Sequence, residues 1–262
     1  MGIVNLTPDS FSGDGVGDSE GVDPTRAIAR AHAQSEAGAD ILDLGAESTR
    51  PGAPPVPAGE ELARLLPVLR ALRDASVPLS VDTMKPEVMT AALAEGASMI
   101  NDVAALSAPG AVAAVAAADA AVCLMHMRGE PRSMQAQPSY ADVVAEVRDF
   151  LVGRARACLA AGIGQERIVI DPGFGFGKTL EHNLALLRAL PEFATLGYPV
   201  LAGLSRKSML GAITGRGVGE RLAASIAAAL LAVERGAGIV RVHDVAATRD
   251  ALSLLNAVEN QT

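Results

Sequence analysis

Ile168-Val169-Ile170-Asp171-Pro172-Gly173-Phe174-Gly175-Phe176-Gly177-Lys178 joins an apolar run to a carboxylate and then to a loop with glycine at every second position. The run reads as a buried strand, and the glycines let backbone pass close to a ligand. The same pattern recurs along the chain, where short apolar runs end on or beside Asn5, Asp43, Asp82, Asn101, His126, Asp171, Ser205 and His243. Helix-like segments separate these eight ends. They predict an α/β chain whose simplest closure is a single (β/α)8 TIM barrel, with the polar ends converging on one mouth.

Outward from that stretch, the connections fit one repeating βα unit. Asp23-Pro24 starts a helix as N-cap and first residue, and Gly38 stops it. The junction Ala37-Gly38-Ala39 is echoed at Glu95-Gly96-Ala97 and Arg235-Gly236-Ala237. Strands are predicted at Leu79–Asp82, up to Ile100-Asn101-Asp102, at Ala121–Met125 and at Val200–Leu204. Pro67 predicts a kink among Leu62, Leu65, Leu66 and Leu69. A helix is expected from Asp142 to Ala161, and the apolar one from Glu220 to Glu234 suggests burial against another subunit. Long loops from Thr7 to Asp23 and from Glu47 to Pro55 fall on one face as candidate lids. Nothing reads as an interdomain linker, so residues 1–262 form one domain.

Composition removes several function classes. The net charge of −8, 3% aromatic residues and the lack of tryptophan argue against a nucleic-acid surface. Despite 50% hydrophobic residues and a mean hydropathy of +0.28, the longest uncharged run, Val103–Ala118, is alanine-rich and interrupted by Pro109 and Gly110. No membrane span is expected. The start shows no basic leader, which predicts a cytoplasmic protein. Met1 already lies in the first strand, so upstream residues are expected. Cys123 and Cys158 have no metal or redox spacing and read as buried thiols.

Asp82, Asn101 and Asp171 would face the same mouth, and two acids with an amide suit a flat heterocycle rich in N–H donors and carbonyl acceptors. A protein-built metal cluster is disfavoured by spacing, although one hard ion held partly by substrate stays open. Arg50, Arg206, Lys207, Arg241 and His243 supply positive charge for phosphate or carboxylate oxygens. Gly177-Lys178-Thr179 looks like the end of a P-loop, but Pro172 stands where its first glycine belongs. His126 reads as a satisfied core histidine, and His32 and His182 as surface residues of helices. No covalent nucleophile stands out.

Seven segments in order carry a family resemblance: Asn5-Leu6-Thr7-Pro8-Asp9-Ser10-Phe11-Ser12, Glu47-Ser48-Thr49-Arg50-Pro51-Gly52, Val81-Asp82-Thr83, Asn101-Asp102-Val103, Asp171–Lys178, Ser205-Arg206-Lys207-Ser208 and Arg241-Val242-His243-Asp244. From Gly2 to about Val245 the chain resembles the dihydropteroate synthases, pterin-binding transferases of folate biosynthesis. The resemblance implies condensation of 6-hydroxymethyl-7,8-dihydropterin diphosphate with 4-aminobenzoate, giving 7,8-dihydropteroate and pyrophosphate, in a cytoplasmic homodimer that sulfonamides target. It implies a pterin site of Asp82, Asn101, Met125, Asp171, Gly203, Lys207 and Arg241, with Asp82, Asp171, Lys207 and Arg241 as catalytic groups. Asn5, Arg241 and His243 would hold the diphosphate, and Asn5 would also meet Mg2+. Thr49, Arg50, Pro51, Phe176, Lys207 and Ser208 would shape the 4-aminobenzoate site. The chain departs from the family in its short start and around Gly13-Asp14-Gly15.

Overall fold

The computed structural model describes residues 1–7, 17–18, 21–49, 52–129, 134 and 138–259, with 17–18 and 21–22 as backbone. Eight strands form one sheet in sequence order: β1 Gly2–Asn5, β2 Leu42–Gly45, β3 Leu79–Asp82, β4 Met99–Asp102, β5 Ala121–Met125, β6 Ile168–Asp171, β7 Val200–Ala202 and β8 Ala237–Val240. Every adjacent pair is parallel. Sequential parallel strands require crossovers, and helices supply them. The first is α1, Pro24–Glu36, followed by α2 Ala58–Ala71, α3 Pro86–Ala94, α4 Ala111–Ala116 and α5 Val143–Ala160. The second half adds α6 Leu180–Arg188, α7 Leu190–Ala194, α8 Ser208–Thr214, α9 Leu222–Glu234 and α10 Val245–Glu259.

Alternation along the strands explains how the sheet is buried on both sides. Val4, Leu42, Leu44, Val81, Ile100, Val122, Leu124, Ile168 and Ile170 belong to the large core shared with the helices. The intervening residues face the other way, where Met1, Met99, Cys123, Val169 and Leu201 form a separate apolar cluster. Farther along the same faces come Asn5, Asp82, Asn101, Asp171 and Arg241, all of which line one cavity. The period of two thus puts apolar contacts low in the curled sheet and polar groups at its C-terminal rim. The sheet's edges also approach one another. Gly2 makes a parallel bridge with Val242, Ile3 N donates to Val242 O at 3.0 Å, and Val242 N donates to Met1 O at 3.0 Å.

The helix boundaries follow local chemistry. Thr25 N donates to Asp23 Oδ1 at 2.8 Å, and Val144 N and Ala145 N both donate to Asp142 Oδ1 at 3.0 Å. Gly38, Gly96 and Gly236, the repeated junction glycines, have φ of 92°, 98° and 95°. Only glycine adopts this left-handed turn without strain, so each can stop a helix and start the next strand. α2 continues through Pro67, with Leu65, Val68 and Leu69 buried around it. Two expectations need correction. β7 stops at Ala202, before the turn in which Arg206 takes a φ of 58°. α9 starts at Leu222 because residues 218–220 form a 3₁₀ turn. Residues 8–16, which hold most of the predicted first lid and Gly13-Asp14-Gly15, lie outside the described residues. Among the described residues no helix is long and apolar enough to cross a membrane.

Candidate active site

A cavity of about 370 Å³ opens at the C-terminal ends of the strands. Twelve of the predicted site residues line it: Asn5, Thr49, Asp82, Asn101, Met125, Asp171, Phe176, Gly203, Lys207, Ser208, Arg241 and His243. Arg50 and Pro51 lie outside the described residues. The volume and the few convergent polar groups suit a small, flat ligand.

Arg241 anchors the polar floor. Its Nε donates to Asp43 Oδ2 at 2.6 Å and its Nη2 to Asp82 Oδ2 at 2.9 Å. Burial works against the guanidinium, but the Asp43 and Asp82 carboxylates more than offset it and hold the charge. Asp43 also accepts from Ser80 Oγ at 2.6 Å and from Asn101 Nδ2 at 3.1 Å. Asp43 and Ser80 are register partners on β2 and β3, so strand pairing itself brings them together. Asp43 is fully buried and does not line the cavity, yet it orients two groups that do. Sequence reasoning gave it no role beyond a strand end. The available clue was a carboxylate inside Ile41-Leu42-Asp43-Leu44, where a buried charge requires partners.

Burial dominates the acids' protonation. It pushes Asp82 up to about 7 against the pull of Arg241, with Asp43 and Asp102 adding to the rise. Asp171 is also raised by burial, opposed by the Gly173 N–H and by Lys207, Lys178 and Arg241. Its Oδ1 accepts from Gly173 N at 2.7 Å, which folds the glycine loop back over the strand end.

That loop passes close to other backbone. A Cβ on Gly173 would sit 1.9 Å from His126 O, so glycine is required there. Lys178 Nζ donates to Gly173 O at 2.9 Å, Phe176 O at 3.0 Å and His126 O at 3.2 Å, and lies 3.0 Å from His126 Nδ1. The P-loop lookalike is thus a backbone clamp. Burial lowers Lys178 to about 7, with Asp171 opposing and Lys207 reinforcing the fall, and lowers His126 to about 3. His126 is buried and packs edge-on against Phe150 at 5.0 Å, a core histidine. Lys207 crosses from the β7 loop, where its Nζ donates to Phe174 O at 2.6 Å and lies 4.2 Å from the Phe176 ring centroid. Burial lowers it to about 8, with Asp171 opposing.

His243 is buried beside Ser205, with Nδ1 2.9 Å from the Ser205 Oγ. Two expectations fail here. Arg206 does not line the cavity; its Nε and Nη2 grip Asp244 at 3.0 and 2.6 Å, fastening the β7 loop to the segment after β8. His182 is a capping residue, not a plain surface one: its Nδ1 accepts from Thr179 N at 3.2 Å, and its ring packs edge-on against Tyr140 at 4.9 Å. Cys123 and Cys158 are free and buried. Among the described residues no group of three or more His, Cys, Asp or Glu side chains could hold a metal ion.

The chain is similar to known proteins along nearly its whole length. The family described as pterin binding enzyme matches residues 1–243. A dihydropteroate synthase from Neisseria meningitidis serogroup C is 54% identical, over 98% of this chain and 92% of its own length. The crystal structure of Burkholderia cenocepacia dihydropteroate synthase complexed with 7,8-dihydropteroate aligns at a TM-score of 0.88 and 54% identity, covering 99% of this chain and 90% of that one. A Xanthomonas albilineans dihydropteroate synthase with 4-aminobenzoic acid aligns at 0.91 and 54%, covering 100% and 93%. A matching family over residues 1–243, a shared fold and near-complete coverage at this identity mean that the chain belongs to the dihydropteroate synthase family of pterin-binding enzymes.

Proposed function

We propose that this cavity carries out the family reaction, joining 6-hydroxymethyl-7,8-dihydropterin diphosphate to 4-aminobenzoate with release of pyrophosphate. The observation that carries this reading is the convergence of Asp82, Asn101, Asp171, Lys207 and Arg241 on one cavity from five different strands or the loops after them. In this reading Asp82, Asn101, Asp171 and Lys207 meet the pterin ring, Met125 and Gly203 shape its slot, and Arg241 packs against it. Asn5, Arg241 and His243 hold the diphosphate. Thr49, Phe176, Lys207 and Ser208, with Arg50 and Pro51 beyond the described residues, form the 4-aminobenzoate side.

The chemistry needs no nucleophilic side chain. As the C–O bond breaks, its electron pair leaves with pyrophosphate and the positive charge spreads over the dihydropterin. Asp82 and Asp171 oppose that charge when ionised, while Arg241 and His243 stabilise the leaving group. The amine lone pair of 4-aminobenzoate then forms the C–N bond, and the nitrogen gives up its proton. Asn5 offers one amide oxygen among phosphate-binding groups, a donor set that fits Mg2+ shared with a diphosphate better than a protein cage. Bound there, Mg2+ would neutralise charge on the leaving pyrophosphate.

The approach of β1 to Val242 favours a complete (β/α)8 barrel. Free buried cysteines suit a reducing, cytoplasmic compartment. Exposed Leu222 and Leu231 on α9 favour a homodimer. The test is Mg2+-dependent pyrophosphate release with and without 4-aminobenzoate. Release that requires 4-aminobenzoate supports the reading; pterin binding without release in either condition defeats it.

A further inference from the structure

Glu47, Lys85 and Glu61 form a partly buried ionic cluster behind the loop that follows β2, with Glu61 its fully buried member. Lys85 Nζ donates to Glu47 Oε2 at 2.5 Å and to Glu61 Oε2 at 2.6 Å. Glu47 Oε1 accepts from Val56 N at 2.8 Å and so ties the two ends of the loop together. Arg64 adds a second tie from α2, its Nη1 donating to Ala46 O at 3.0 Å. Glu47 lines the cavity, next to Ser48 and Thr49.

The cluster is poorly explained as a source of stability. Glu61 is fully buried, and its Oε1 has no hydrogen-bond partner among the described residues. Two acids face one partly exposed ammonium, and desolvating the Glu61 charge carries a cost that an apolar side chain of similar volume would avoid. An ionic link instead fixes direction, because Lys85 holds Glu47 in one place only while Glu61 holds Lys85. Burial disfavours the ammonium, but its bonds to Glu47 and Glu61 more than compensate and raise its pKa. Lys85 immediately precedes α3 in the short segment after β3, so the ionic chain connects the base of the loop to the rigid sheet and, through Glu61, to α2.

We infer that Glu47, Lys85 and Glu61 are positioning residues for the 4-aminobenzoate subsite, acting by fixing the base of the loop that carries Ser48 and Thr49. The inference rests on the proposed placement of 4-aminobenzoate against this loop. It predicts a split between substrates: a loosened loop base weakens the use of 4-aminobenzoate and leaves pterin binding on Asp82, Asn101 and Asp171 untouched.

Glu47→Ala and the isosteric Glu47→Gln separate loss of the loop tie from loss of the ion pair, and thermal unfolding shows that each is folded. The Gln variant keeps an acceptor for Val56 N and guards against misfolding of the Ala variant. The expected result at saturating pterin substrate is a KM for 4-aminobenzoate raised about tenfold in Glu47→Ala and about threefold in Glu47→Gln, with calorimetric pterin affinity within about twofold of wild type. Thr49→Ala serves as the control on the subsite. If Thr49→Ala raises that KM while both folded Glu47 variants leave it unchanged, the positioning role is overturned and the subsite stands. If none of the three moves it, the subsite placement fails and takes the positioning role with it. Parallel loss of pterin affinity in the Glu47 variants overturns the inference in favour of a general structural role.

Discussion

Asp82 shows how one residue can serve binding at the expense of folding. Its carboxyl is held at about 7, mainly by burial, whereas in an unfolded chain it titrates near ~3.9. Because the folded value is raised, the stability linked to this group is fully present below pH ~4 and is lost as pH rises through 7. Ligand binding has the opposite sign, since ring N–H donors are best met by the ionised form. Pterin affinity should therefore rise between pH 6 and pH 8, with Asp82 setting the midpoint near 7. Asp82→Asn keeps an acceptor for Arg241 Nη2 but removes the titration. The variant should gain stability relative to wild type at pH 8 more than at pH 5, and lose the pH dependence of pterin binding near 7. Denaturant melts and titration calorimetry at these pH values check both; equal stability differences at pH 5 and pH 8 would rule out the assignment.

Among elements, the loop after β6 is where sequence was most and least informative. Its glycines predicted close backbone approach, and Gly173, Gly175 and Gly177 all take left-handed φ, at 71°, 81° and 65°. Asp171 at a strand end was equally legible, because an apolar run fixes where its last residue emerges. Lys178 was not. A lysine beside glycines reads as solvent-exposed or phosphate-facing, and only the fold shows three carbonyls closing around it. Arg206 was misread for the same reason, since its partner Asp244 lies 38 residues away. If Lys178 shapes this loop, its loss should reach Lys207 through the Phe174 carbonyl and the Phe176 ring. Lys178→Met should cost about 1–3 kcal/mol for each buried carbonyl left without a donor. It should also lower kcat/KM at least about tenfold, through misplacement of groups that meet the substrate. Thermal unfolding and steady-state kinetics measure the two effects, and a folded variant with wild-type kcat/KM would show that the clamp is dispensable.

At the scale of the whole molecule, the βα repeat could be read from strand ends and helix stops, because each is set by neighbours within a few residues. The apolar character of α9 was equally plain, but sequence could not say how much of it the chain covers itself. In the structure α9 buries Ser225, Ala228, Ala229 and Ala232, all small, while Leu222 and Leu231 stay 44% and 39% exposed. Ile213 on α8 and Leu254 on α10 extend the pattern at 55% and 69%. Large apolar side chains left in water on three successive helices are costly for a lone chain and suit an interface between copies. Light scattering should then give about twice the 26.7 kDa chain mass. The double change Leu222→Glu and Leu231→Glu should shift it to the single-chain mass without unfolding, since neither residue belongs to the buried core. A wild-type protein that scatters as one chain at micromolar concentration would remove the homodimer and leave this face to be explained otherwise.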